Sequence, residues 1–109
     1  ANFIKMKNKN YTATLFGNGK QYRDFVSVFD VCEATLRSVF LKSGTSYTFN
    51  ICSGVPVSIL HIAKQIGLNF KLEKSLKGPK KVVGSNKMAM KILNWKPKYS
   101  LKLFLSKNI

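Results

Sequence analysis

The sequence is poor in acids and nearly without histidine: four carboxylates (Asp24, Asp30, Glu33 and Glu73) and a single imidazole, His61, in 109 residues. General acid–base and metal chemistry draw mainly on these residue types, so the catalytic inventory is thin from the outset. The two cysteines, Cys32 and Cys52, stand 20 positions apart with no CxxC spacing. That excludes a zinc ribbon and a disulfide framework, and both thiols are expected to be buried as small hydrophobes. No metal ligands and no catalytic residues are assigned. No apolar run approaches the roughly 18 residues that span a bilayer. The start, ANFIKMKNKN, lacks the apolar core of a signal peptide, so the expected compartment is the cytoplasm, with no membrane partner.

Arginine is scarce too. Of 19 basic residues 17 are lysine, and the arginines are Arg23 and Arg37. The net charge of +15 favours anionic partners. The lysines are spread along the chain without forming one arm, and phosphate readout usually shows more arginine forks. Nucleic acid is therefore the less favoured partner. A content of 45% hydrophobic and 12% aromatic residues predicts one folded domain over 1–109.

Local patterns predict a mixed α/β (α+β) fold, a small sheet of short strands with about four helices. NFIKMKNKN reads as helix, YTATLF as a strand ending at Gly17-Asn18-Gly19, and RDFVSVF as a second strand. Asp30 and Glu33 form a D-x-x-E capping box for a helix whose apolar face is Cys32, Leu36, Val39 and Phe40, with Lys42 in its last turn and Gly44 as its stop. SYTFNI (46–51) has the aromatic and β-branched content of a strand. Ser58 caps a helix with Ile59, Ile62, Ala63 and Ile66 on one face. NFKLEKSL and GPKKVVG suggest short strands, and Ser85 or Asn86 opens a helix carrying Met88, Ala89, Ile92 and Leu93. SLKLFLSKNI closes the chain as a helix. GNGKQY leads into a strand-like run, so it is no dinucleotide loop, which must lie between a strand and a helix N-terminus.

Three segments in order then carry a resemblance: FGNGKQYRDFVSVFDVCEA, YTFNICSG with VSILHIAKQI, and GPKKVVGSNKMAMKILNWKPKYSL. Together they resemble the C-terminal, substrate-binding portion of the extended short-chain dehydrogenase/reductases, the NAD-dependent sugar-nucleotide epimerases and dehydratases. The family pattern runs G-x-G-x-Q-x-R-D, then YNIGSG before SI, then LGW-x-P before SL. The resemblance implies a nucleoside-diphosphate-sugar-binding module in which Arg23 pairs with the pyrophosphate. It puts Phe16 beside the base, the backbone of Leu15 and Phe16 at the base edge, and Asn50 on the loop facing the phosphates. Where the family often has a second phosphate-binding arginine, this chain offers Lys74 and Lys77. The alternatives are an Arg23–Asp24 surface pair, a core Phe16 and a turn-forming Asn50.

The departures are equally specific. None of the four tyrosines is followed four positions later by lysine, so the family's Tyr-x-x-x-Lys pair is absent, as is its glycine-rich cofactor turn. The implied module is catalytically incomplete alone. NAD or NADP is expected only with a separate Rossmann domain, absent from this chain. A catalytic-half partner chain or a homo-oligomer would complete it or cover the apolar surface left exposed. The competing reading is a basic scaffold that kept the fold and binds nucleic acid or an acidic protein.

Overall fold

A computed structural model describes residues 2–42 and 44–108. Its elements, in chain order, are α1 (Asn2–Asn8), β1 (Ala13–Phe16), β2 (Tyr22–Asp24), α2 (Val28–Val39), β3 (Pro56–Ser58), α3 (Ile59–Ile66), β4 (Phe70–Glu73), β5 (Lys81–Val82), α4 (Lys87–Leu93) and α5 (Leu101–Asn108). A single 3₁₀ turn, Gly17–Gly19, joins β1 to β2. The mixed α+β class is as expected, with five helices among the described residues and the strands in two small sheets. β1 pairs parallel with β4, Phe16 opposite Glu73. β2 lies between antiparallel β3 and parallel β5, with Arg23 opposite Val57 and Val82.

Two apolar clusters hold these pieces. The first joins Ala13 and Leu15 of β1 to Ile62, Ala63 and Ile66 of α3, with Leu68 and Leu105. Here the 3.6-residue period of α3 meets the period-2 alternation of β1, whose inward residues are both 2% exposed. The N-cap of α3 is the one its sequence announces: Ser58 Oγ accepts from His61 N at 3.1 Å. His61 itself is exposed. The second cluster sets Ala34 of α2 against Ala89, Leu93 and Trp95.

Several local expectations fail for tertiary reasons. RDFVSVF is a strand only as far as Asp24, because Ser27 caps α2, its hydroxyl accepting from Phe29 N at 3.2 Å. The Asp30–Glu33 capping box does not form. Asp30 is fully buried and accepts from Lys98 N at 2.9 Å and Tyr99 N at 3.1 Å. Glu33 pairs with Arg37 at 2.8 Å and Lys98 at 2.9 Å. These two cations hold its carboxyl below the usual range, Lys98 contributing most. Lys42 and Gly44 lie beyond α2, whose last turn carries Arg37. The expected apolar face of α2 points outward: Leu36, Val39 and Phe40 are exposed, and so is Cys32, which was expected to be buried. Asn86 precedes α4 without capping it; its amide bonds elsewhere. Residues 46–51 form no strand, and no strand among the described residues pairs with them.

The molecule is elongated, 51 × 29 × 16 Å, with a radius of gyration of 16.6 Å. A single compact body of this length would have about 13 Å. No helix among the described residues is long and apolar enough to cross a membrane.

Candidate functional site

The segment QYRD (21–24) sits at the centre of the three-stranded sheet, and three of its four side chains fasten loops. Gln21 Nε2 donates to the carbonyl of Lys77 and, at 3.5 Å, to that of Pro79. Arg23 Nη1 donates to Pro79 O at 3.0 Å and to Tyr22 O at 2.8 Å. Together they pin the Lys77-Gly78-Pro79 turn, where Gly78 adopts φ +78°, a left-handed conformation open to glycine. The pinned turn brings Lys77 Nζ over the ring of Phe16, 4.5 Å from its centroid, a cation–π contact. One Arg23 nitrogen is thereby committed to carbonyls. Nε and Nη2 have no protein partner among the described residues.

Asp24 points the other way. Its carboxylate accepts from Ser53 N at 2.7 Å, Ser53 Oγ at 2.6 Å and Gly54 N at 2.8 Å. Burial pushes its pKa up, but the Ser53 hydroxyl and the amides of Ser53, Gly54 and Gly84 outweigh it and hold the group below its ordinary value. On the far side of the same loop Asn86 Nδ2 donates to Cys52 O at 2.9 Å. Cys52 lies buried against Gly84. Burial, and then the Asp24 charge, push its thiol pKa up, which keeps it protonated and unreactive.

Asp24 therefore ties folding to pH. Its folded-state pKa is depressed, so its stabilisation is complete above the unfolded value of about 4 and is lost as pH falls through the lower folded value. Asp24→Asn is expected to cost about 1–2 kcal/mol at pH 7, a figure discounted for partial exposure. The gap between wild type and variant should narrow as pH falls below about 4 in urea melts. A gap independent of pH would show that the carboxylate charge is not what holds the loop.

Of the five residues expected to bind substrate, the fold gathers three: Phe16, Arg23 and Lys77 meet around the 77–79 turn. Leu15 is 2% exposed and belongs to the core, with its strand paired to β4 opposite Leu72. Asn50 is exposed and makes no hydrogen bond among the described residues. The alternative for these two residues, an Arg23–Asp24 surface pair, is not formed; the two side chains grip different loops. Gln21 was not singled out, because its role depends on a turn 56 residues away. No group of three or more His, Cys, Asp or Glu among the described residues is placed to hold a metal ion.

The arrangement as a whole has close counterparts among solved structures. UDP-glucuronic acid 4-epimerase from Bacillus cereus, solved with UDP-glucuronic acid and NAD, superimposes with a TM-score of 0.83 at 28% identity, over 95% of this chain and 36% of that one. The chain resembles the C-terminal part of the NAD-dependent epimerases and dehydratases. UDP-glucose 4-epimerase from Thermotoga maritima, solved with UDP-glucose, gives 0.78 at 28% identity, over 94% of this chain and 35% of that one. Pal from Bacillus thuringiensis gives 0.83 at 26%, over 97% and 36%. The chain thus spans little more than a third of the length of these epimerase-like structures. No protein-family model matches it, and neither does any curated protein.

Proposed function

We propose that the chain binds a nucleoside diphosphate sugar, with Arg23 and Lys77 on the diphosphate and Phe16 against the base. The observation that carries this reading is the pinned 77–79 turn. It sets a lysine ammonium beside an aromatic face and leaves part of the Arg23 guanidinium free to take phosphate oxygens. Arginine supplies a planar fork for two oxygens at once, and lysine adds a point charge. The likeness to epimerases solved with UDP-glucuronic acid and UDP-glucose supports the ligand class. The backbone of Leu15 and Phe16 lies at the base edge in this reading, and Asn50 faces the phosphates.

NAD does not fit the residues described. The only GxG, Gly17-Asn18-Gly19, joins two strands through a 3₁₀ turn, with Gly19 pressed against Leu60. It therefore offers no helix N-terminus to a dinucleotide pyrophosphate. With no Tyr-x-x-x-Lys in the sequence either, the chain alone is a binding module. NAD or NADP and the proton-transfer pair belong with a separate Rossmann domain.

Calorimetric titration with UDP-glucuronic acid and UDP-glucose tests the reading. Wild type should bind weakly. Arg23→Ala should weaken binding by about tenfold or more, and Arg23→Lys should restore only part of it. Absence of wild-type binding, or equal binding by Arg23→Ala, overturns it. If RNA binds instead, with a steep salt slope indifferent to Arg23, the charge is serving nucleic acid.

A further inference from the structure

In the free chain the face of Phe16 is already covered. The ring is half-buried, and the exposed Lys77 sets its ammonium over it, 4.5 Å from the centroid. A base stacked on that ring would need the same place. Lys77 forms no ion pair among the described residues. Glu73 lies opposite Phe16 in the β1–β4 pairing, but its carboxylate accepts from Ser75 N at 3.2 Å. The aromatic ring is thus the ammonium's partner, through the attraction of a cation to the π quadrupole.

The backbone beneath Lys77 is held on both sides. Gly17 N donates to Ser75 O at 2.9 Å. Leu76 lies so close to Gly17 that a Cβ built there would stand 2.7 Å from Leu76 Cδ1. Gln21 holds the carbonyl of Lys77, and Arg23 holds that of Pro79. The turn therefore need not move to uncover the ring, because the lysine stem can rotate by itself, as exposed side chains do in picoseconds to nanoseconds. An exposed cation–π contact is worth about two- to fivefold in a binding constant. A charge-assisted hydrogen bond to phosphate is worth more. Leaving the ring is favourable for the ammonium when a phosphate arrives, and unfavourable when none does.

We propose that Lys77 is a specificity gate: its ammonium covers the Phe16 face until a phosphate draws it away, so the site takes phosphorylated nucleosides and discriminates against neutral ones. The gate rests on the nucleoside-diphosphate reading of this site and adds a second role to a residue placed there only on the diphosphate. A lysine that merely contacts phosphate raises affinity for a nucleoside diphosphate and leaves a bare nucleoside unaffected. A lysine that also covers the ring acts against the bare nucleoside, which must displace it and offers it no anion in return. Arg23 has no such role, because its Nη1 stays on the carbonyls of Pro79 and Tyr22.

Two NMR measurements on the whole chain test the gate. Lys77→Ala removes an exposed side chain and keeps the carbonyl that Gln21 holds, so the turn stays in place. The variant should bind uridine about two- to fivefold more tightly than wild type, and UDP-glucose more weakly. The gain for uridine is the effect that a lysine acting on phosphate alone would not give. In the free wild type the ring current of Phe16 should shift the Lys77 ε-methylene upfield of the other lysines. Phe16→Leu should return it to the common position, and so should saturating UDP-glucose. The gate is overturned if Lys77→Ala leaves uridine binding unchanged or weaker, or if uridine binds neither protein. An ε-methylene at the common lysine position in the free chain also overturns it. If UDP-glucose binds while the methylene stays upfield, the gate falls and the reading of the site stands. If UDP-glucose does not bind wild type at all, both fall.

Discussion

Replacing Asp30 with alanine is expected to cost about 3 kcal/mol or more of folding stability. The carboxylate is fully buried, and it is the acceptor for the amides of Lys98 and Tyr99. Its own backbone carbonyl takes the indole N–H of Trp95 at 3.0 Å, and Trp95 is 1% exposed. One residue of α2 thus fastens the 95–99 segment, which leads from α4 into α5. Alanine would leave two amides without an acceptor and a void beside the largest buried side chain. Asparagine is expected to do nearly as badly, because its NH₂ would face an amide donor. A domain of this size has about 5–15 kcal/mol in total, so the loss should be plain in a urea melt. A midpoint within about 0.5 kcal/mol of wild type would mean the 95–99 segment is held by apolar packing alone.

Asp30 also marks where local sequence logic stops. An acid three residues before a glutamate is the usual sign of a helix start, but Ser27, three positions before Asp30, is the residue that caps α2. What reassigned Asp30 was a partner 68 residues away, beyond the reach of any periodicity. The same holds for Gln21 and Asp24, whose partners lie 56 and 29 residues distant. By contrast α3, β1 and the helix after Asn86 are legible because each buries one regular face against neighbours within the chain. The period of α2 was legible as well, whereas residues 46–51, expected as a strand, form none. What surrounds the α2 face was not legible, because amphipathic spacing says that a face will be covered without saying by what. At the candidate site the motif named Arg23, and Phe16 and Lys77 joined it. The turn that gathers them depends on Gln21, and only the fold displays it.

Gly19→Ala is expected to destabilise the chain by about 2–4 kcal/mol, adding a strained backbone to an overpacked contact. Gly19 has φ +72°, and a Cβ built there would stand 2.7 Å from Leu60 Cβ and 3.3 Å from Leu60 Cα. The obstacle is the root of α3, so no rotamer change relieves it. The turn is also tied to that helix through its neighbour, since Ile59 N donates to Gln21 O at 2.9 Å. Pushing position 19 away from α3 shifts Gln21, and with it the pinned Lys77–Pro79 turn that Arg23 shares. The variant should therefore lose nucleotide-sugar affinity more steeply than stability alone accounts for, at a temperature where it is still folded. Gly78→Ala supplies the comparison, because nothing lies within 4 Å of a Cβ at Gly78 and only its φ of +78° opposes the change. It should cost about 1 kcal/mol. Equal losses at the two glycines, read from urea midpoints, would show that the contact with Leu60 yields and that the turn is not braced by α3.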